Sequence, residues 1–472
     1  MFSGQQQDSG RWATHGELRA GGWLHPSGWP LGPLNRVGPI TYIPPLVQRE
    51  NVMALAPPGS GKTRGILVPA LLSETRQPPA FRRSLIVVDP EGELYRLTGR
   101  QLARTHKIVV WNPAKPSMCN TAFDPLAYVP AWNRPGYVDG CELAAMVWLS
   151  ATADAAEGGG RRAADPYWEK MPANALKALF LAWGIQPLSI TKAAQALGEK
   201  DTAALLEDLS GSSIDAAKMR AQVVGDLLKN ERAAGNVFSD LRERFMFLNN
   251  PTVAGTMQGK SVDFSAMMRE PTAIFIQVST AALYLQPLLS VFVATAVGEL
   301  LKVADGQPLP REVRFVIDEL GNLGRIHDLA GSLATLRKFH IGFLMATQTT
   351  ARLADRYGQQ LAESIMGTCG TVLALGGLSF DDASWASRQL GTRVTTGYKA
   401  SFSPGMSSGG GANSLFGFPV LPVPRFGLHV NQQKDTAPLR TADAIRAMNK
   451  ALVVLPTRLR PFETGLEIYT GG

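Results

Sequence analysis

A doubly wound α/β fold interrupted by an all-α insertion is the architecture this 472-residue sequence predicts. Three observations carry it. Short apolar runs that lack alternation, the kind a parallel sheet buries on both faces, recur toward both ends of the chain. A glycine-rich turn stands between the first of these runs and a helix. Between the two groups of runs, residues 138–265 are Ala-rich, helix-patterned and almost free of strand-like stretches.

The elements follow in order. Residues 1–45, rich in Gly, Pro and Trp with little periodicity, read as an irregular N-terminal arm. Asn51-Val-Met-Ala-Leu55 reads as a buried strand, followed by the turn and a helix near Gly61–Leu72. Ser84–Val88 and Lys107–Trp111 are further parallel-type strands. The insertion then occupies 138–265 and includes a flexible stretch, Glu157-Gly-Gly-Gly-Arg-Arg162. Strand texture returns at Ala273–Val278, Val313–Ile317, Ile341–Ala346 and Thr371–Leu375. Thr395 to Thr441 is of low complexity and reads as a mobile loop, before Ala444–Tyr469 returns to ordered character. The α/β domain is thus 46–137 with 266–472.

Composition narrows the class. Apolar residues make up 45% and charged residues 18%, which excludes a disordered or collagen-like chain. At about 150 residues per domain the length allows two or three domains. The formal charge of +8 leans mildly toward a polyanionic partner. Cys119, Cys141 and Cys369, odd in number and far apart, form neither a disulfide framework nor a zinc knuckle, which fits a reducing cytoplasm. Pro271 to Gly298 contains no charged residue, but Gln277, Ser279, Thr280, Gln286 and Pro287 interrupt it. A buried strand, a loop and a core helix fit it better than a spanning helix of ~20 apolar residues. The expectation is a soluble, cytoplasmic chain.

The chemistry is concentrated in Ala56-Pro-Pro-Gly-Ser-Gly-Lys-Thr63. Gly59, Ser60 and Gly61 let backbone N–H groups turn inward on phosphates, and the following helix adds its positive end. Lys62 would reach the β- and γ-phosphates of ATP and the Thr63 hydroxyl would bind Mg²⁺. The strict pattern begins with Gly where this chain has Ala56; Pro57 and Pro58 supply the bend instead. The metal also needs a carboxylate at the end of a neighbouring strand, and Asp89 and Asp318 both qualify. Only Asp318 is followed by a glutamate able to polarise water, since Pro90 follows Asp89. Asp318 therefore takes the metal and Glu319 the water. Gln348, at the tip of the next strand, suits a sensor of the γ-phosphate. Arg337 sits beside the apolar face of the intervening helix, where spacing alone reads it as a solvated charge.

The ordered set of motifs carries a family resemblance. The phosphate loop is followed by Ser84-Leu-Ile-Val-Val-Asp-Pro-Glu-Gly-Glu-Leu-Tyr95, Val110-Trp-Asn-Pro113, Phe123-Asp-Pro-Leu126 and Asp165-Pro-Tyr-Trp168. Phe315-Val-Ile-Asp-Glu-Leu-Gly-Asn-Leu-Gly324 and Ala346-Thr-Gln348 complete it. Over most of residues 10–460 the chain resembles the type IV secretion coupling proteins, the TraG/TraD-like conjugation ATPases. The resemblance implies a RecA-like motor with an inserted all-α domain, assembling as a hexamer around DNA and hydrolysing ATP at subunit interfaces. It implies that Arg337 is an arginine finger acting on a neighbour's ATP. It further implies a relaxosome or secreted protein as substrate and a secretion channel as partner. Family members usually begin with a transmembrane pair ahead of a segment like Gly10-Arg-Trp-Ala13, which here opens the chain almost at once. The expectation is a form without that anchor.

Overall fold

The structure is a computed structural model that describes residues 10–153, 166–184, 188–228, 230–259, 261–278, 280–406 and 424–470. Its strands are β1 (Trp29–Pro33), β2 (Ile40–Ile43), β3 (Asn51–Leu55), β4 (Ser84–Val88), β5 (Lys107–Trp111), β6 (Thr272–Ile276) and β7 (Val313–Ile317). They continue with β8 (Ile341–Thr347), β9 (Cys369–Leu375), β10 (Thr392–Met406), β11 (Pro424–Pro438), β12 (Ala451–Pro456) and β13 (Phe462–Gly465). A nine-stranded sheet runs in the order β13-β12-β9-β3-β8-β7-β4-β6-β5. From β9 to β5 every pairing is parallel, and β12 and β13 add an antiparallel edge.

Sheet chemistry follows from the apolar runs. Every residue of β3, β4, β6, β7 and β8 is buried, because helices cover both faces. One face packs Leu55, Ile86, Phe315 and Phe343, with Phe315 and Phe343 stacked at 4.6 Å. The other packs Val52, Val87, Phe275 and Leu344. The helix after the glycine-rich turn opens with a π turn, Thr63–Leu67, and continues as Val68–Thr75.

The described part of the insertion is helical. Tyr137–Ala151, Pro166–Trp183, Ile190–Glu199, Thr202–Ser210, Asp215–Leu228, Glu231–Phe245 and Pro251–Thr256 follow one another. Ser189, Asp201 and Asn230 each accept a backbone N–H two or three residues into the helix they open, supplying the caps that separate these helices. Trp148 stacks on Phe245 at 4.7 Å. Their apolar faces join the sheet's own cluster rather than closing a separate one. The Trp111 indole donates to the Thr256 carbonyl at 3.2 Å, and the Asp124 carboxylate accepts the Ile190 N–H at 3.2 Å. The glycine-rich stretch 157–162 lies outside the described residues.

Two expectations change. Among the described residues 10–45 the chain is not an irregular arm: a helix, His15–Ala20, and the β1–β2 hairpin lie there. Leu18, Trp23, Trp29, Leu31 and Ile43 are buried in the sheet's second face. Their apolar spacing is too short and too broken by Gly and Pro to show periodicity, and burial comes from partners at the far end of the chain. Trp23 meets Phe462 edge-on at 5.2 Å, and Leu31 accepts the Glu467 N–H at 3.1 Å. The low-complexity stretch is not a loop throughout. β10 and β11 pair antiparallel over fifteen residues each, from Thr392↔Pro438 to Met406↔Pro424. Residues 407–423 lie outside the described set.

Within the uncharged stretch, β6 is a buried strand and Gln286–Ala304 a helix that begins with Pro287 in its first turn. Among the described residues one stretch, Ala281–Ala304, is long and apolar enough to cross a membrane; an 18-residue span of it has mean hydropathy 1.6, and half of that span is buried inside the protein. There Phe292 packs 4.5 Å from Phe123 and 5.8 Å from Trp111.

Candidate active site

Three neighbouring parallel strands, β3, β8 and β7, deliver the site, because their C-terminal ends open on one side of the sheet. β3 ends at Leu55 and its chain turns through Ala56, whose N–H bonds the Thr347 carbonyl at the tip of β8 at 3.0 Å. Gly59 and Gly61 take φ of +75° and +90°, the left-handed region that favours glycine, and nothing lies within 4 Å of a Cβ built on Gly59. That open cradle, and a Ser60 hydroxyl buried without a hydrogen-bond partner, fit a phosphate group.

Lys62 reaches across to the end of β7. Its ammonium donates to the Asp318 carbonyl at 2.8 Å and to Glu319 Oε2 at 3.0 Å, with Asp318 Oδ1 at 3.6 Å. The Thr63 hydroxyl lies 3.5 Å from Asp318 Oδ1. Glu319 Oε1 accepts the backbone N–H of Gln348 at 3.1 Å. The glutamate thus ties the phosphate loop to the tip of β8. Burial pushes the Asp318 carboxyl above its ordinary range, Lys62 opposes the shift, and Glu319 adds to it. A hard divalent cation between Thr63 and Asp318 would offset that cost. Gly59, Ser60, Gly61, Lys62, Thr63, Asp318, Glu319 and the backbone of Gln348 therefore share one site.

The second acidic candidate has another occupation. Asp89 accepts the N–H groups of Leu94 at 3.1 Å and Tyr95 at 2.8 Å, so both oxygens serve the helix Glu93–Leu102. Burial raises its pKa to about 6 despite those bonds.

Arg337 is not in this site. It lies in the turn before β8, at the opposite edge of the sheet, paired with Glu50 at 3.0 Å. β8 is seven residues long, so at about 3.3 Å per residue its ends stand roughly 20 Å apart. Within one chain Arg337 does not meet Lys62.

Sequence reasoning missed the C-terminal segment. A Cβ on Gly61 would press Ile468 Cδ1 at 2.6 Å and one on Gly65 would press Leu466 Cγ at 2.6 Å. The Tyr469 N–H bonds the Arg64 carbonyl at 3.0 Å. The small residues at 61 and 65 were the only local sign that something packs on this turn. Glu50 was missed too; a glutamate directly before a buried strand was its sign.

Comparisons with known proteins bear on the family and the fold. The chain is 20% identical over 414 residues to protein VirD4 of Rhizobium rhizogenes, covering 84% of this chain and 58% of that protein. It is 25% identical over 346 residues to the conjugal transfer protein TraG of Escherichia coli, covering 68% and 51%. It thus spans little more than half the length of these curated relatives. Among solved structures, the bacterial conjugative coupling protein TrwBdeltaN70 in its unbound monoclinic form superposes with TM-score 0.65 at 15% identity, over 100% of this chain and 96% of that one. Plasmid coupling protein TrwB in complex with ADP and Mg²⁺ gives TM-score 0.62 at 15% identity, over 91% and 88%. These likenesses show a RecA-like P-loop NTPase fold. A family model described as type IV secretory system conjugative DNA transfer matches residues 11–413, and the chain belongs to that family.

Proposed function

We propose that this chain is an ATP-driven coupling protein that moves DNA or nucleoprotein toward a conjugation or type IV secretion channel. The convergence of Lys62, Thr63, Asp318 and Glu319 on one glycine-rich turn carries the reading. The TrwB structure with ADP and Mg²⁺ supports ATP and Mg²⁺ as its ligands. Bound Mg²⁺ would neutralise charge on the phosphates, held by Thr63 and Asp318. Lys62 stabilises charge on the terminal phosphoryl group, Glu319 orients and polarises the attacking water, and Gln348 stands at the strand tip beside it.

Assembly follows from the position of Arg337. An arginine on the edge opposite its own phosphate loop serves a neighbour, so turnover is assigned to subunit interfaces of a ring, a hexamer on DNA. The relaxosome or a secreted protein is the cargo, and the chain works on the cytoplasmic side of the membrane.

The test is ATPase activity with and without single- and double-stranded DNA, together with DNA binding across salt. DNA is expected to stimulate turnover. Duplex binding is expected to fall with a log–log slope of about −0.9 per phosphate contacted. Salt-independent binding, or no DNA effect at any protein concentration, would instead support an adaptor that recruits substrate with little turnover.

A further inference from the structure

The N-terminal edge of the sheet carries a second charged cluster. Glu50 directly precedes β3 and its side chain is only 8% exposed. Gly370, the second residue of β9, has no room for a Cβ, which would collide with the Glu50 carboxylate. Two guanidinium groups converge on one carboxylate oxygen: Arg337 Nη1 at 3.0 Å and Arg458 Nη2 at 3.1 Å from Glu50 Oε1. Arg337 comes from the turn before β8 and Arg458 from the turn after β12. The latter turn is pinned by the Thr457 N–H, which donates to the Gly370 carbonyl at 3.0 Å. The two arginine side chains are 48% and 68% exposed. One buried carboxylate offsets one of two positive charges, so a net cation faces outward from a fixed base.

We propose that Arg458 is a second arginine that acts, together with Arg337, on the terminal phosphates held by a neighbouring copy of this chain, with Glu50 positioning both. The inference rests on the trans reading of Arg337 given above. A terminal phosphoryl group spreads its charge over three oxygens. Two guanidinium forks satisfy more of those oxygens than one, with directional N–H donors. Because both arginines hang from the same oxygen, whatever surface meets Arg337 also meets Arg458.

The test uses the whole chain. Arg337→Ala, Arg458→Ala and Arg458→Lys proteins are assayed alone and mixed with Lys62→Ala protein. Binding of a fluorescent ATP analogue is also followed on the Glu319→Gln background at low and high protein concentration. Arg458→Ala is expected to slow turnover about 10- to 100-fold, the worth of a charge-assisted bond. It should regain activity when mixed with Lys62→Ala, and should lose the gain in analogue affinity that comes with rising protein concentration. Arg458→Lys keeps Glu50 paired and the unfolding midpoint parental, yet stays at least about 10-fold slow because an ammonium has no fork. Suppose Arg337→Ala recovers in the mixture while Arg458→Ala turns over at the parental rate, or Arg458→Lys restores it fully. Arg458 is then only a counter-ion of Glu50 and the inference is overturned. If Arg337→Ala fails to recover despite demonstrated co-assembly, the trans reading falls and this inference falls with it.

Discussion

Lys62 and Glu319, 257 residues apart in the chain, meet at 3.0 Å between the glycine-rich turn and the end of β7. Their side chains are 15% and 6% exposed, so each compensates the other for lost water, the Asp318 carbonyl also serving Lys62. Removing the cation strands a shielded carboxylate, which in a fully buried pair costs roughly 3–5 kcal/mol. Lys62→Ala is therefore expected to lose turnover and also to destabilise the fold by about 2 kcal/mol, less than that range because Gln348 N–H still bonds Glu319. Adding Glu319→Gln should return most of the stability and none of the activity. Denaturant unfolding of the two variants checks this; equal stability of both would show that the pair is not coupled.

Glu319→Gln alone keeps an acceptor for the Gln348 N–H and a neutral partner for Lys62. ATP binding is expected within a few-fold of the parent, with turnover down at least about 100-fold, since general-base help is worth 10²–10⁴. Weak nucleotide binding by this variant would remove Glu319 from the role of orienting water.

On the proposed trans reading, Arg337, on the edge opposite its own Lys62, would make turnover a property of pairs. Specific activity is expected to rise with protein concentration and to saturate, with DNA shifting the rise to lower concentrations. Activity strictly proportional to protein down to nanomolar levels would show that one chain suffices.

Asp124 gives a pH signature. Burial raises its pKa to about 6, although it accepts the N–H groups of Leu126 and Ile190. The folded state holds this proton more tightly than the unfolded chain, whose aspartate titrates near 3.9. Its contribution is therefore fully present below about pH 4 and is lost as pH rises through about 6. Asp124→Asn does not ionise. Its stability relative to the parent should improve by about 2 kcal/mol between pH 4 and pH 7, from 1.36 kcal/mol per pKa unit. A pH-independent difference would mean that Asp124 titrates normally.

Gly32 tests the N-terminal hairpin. A Cβ there would collide with the Gly465 carbonyl group, backbone that cannot rotate away. Gly32→Ala is expected to destabilise the protein by about 1–3 kcal/mol, the usual cost of overpacking. An unfolding midpoint unchanged by the substitution would show that the hairpin is a dispensable arm.

The sequence by itself determined the parallel strands and which residues stand at their tips. β4, β5 and β7 begin and end where their apolar runs do, because strands of a parallel sheet covered by helices are built mainly from apolar residues, and only edge strand β5 leaves its first residue, Lys107, exposed. The Gly59–Thr63 turn and the Asp318-Glu319 pair were legible for a similar reason: each is a local pattern whose geometry is set within a few residues. What only the tertiary structure decided is what depends on partners far along the chain. Glu50 is joined to Arg337 and Arg458 by ion pairs that no local period encodes. Leu466 and Ile468 pack on Gly61 of the phosphate loop and Leu466 on Gly65 of the helix after it, and Trp29 and Leu31 are buried against the far end of the sequence. β10 and β11 were hidden in a stretch whose composition reads as a loop, since pairing between two strands rests on their mutual register and not on the propensity of either.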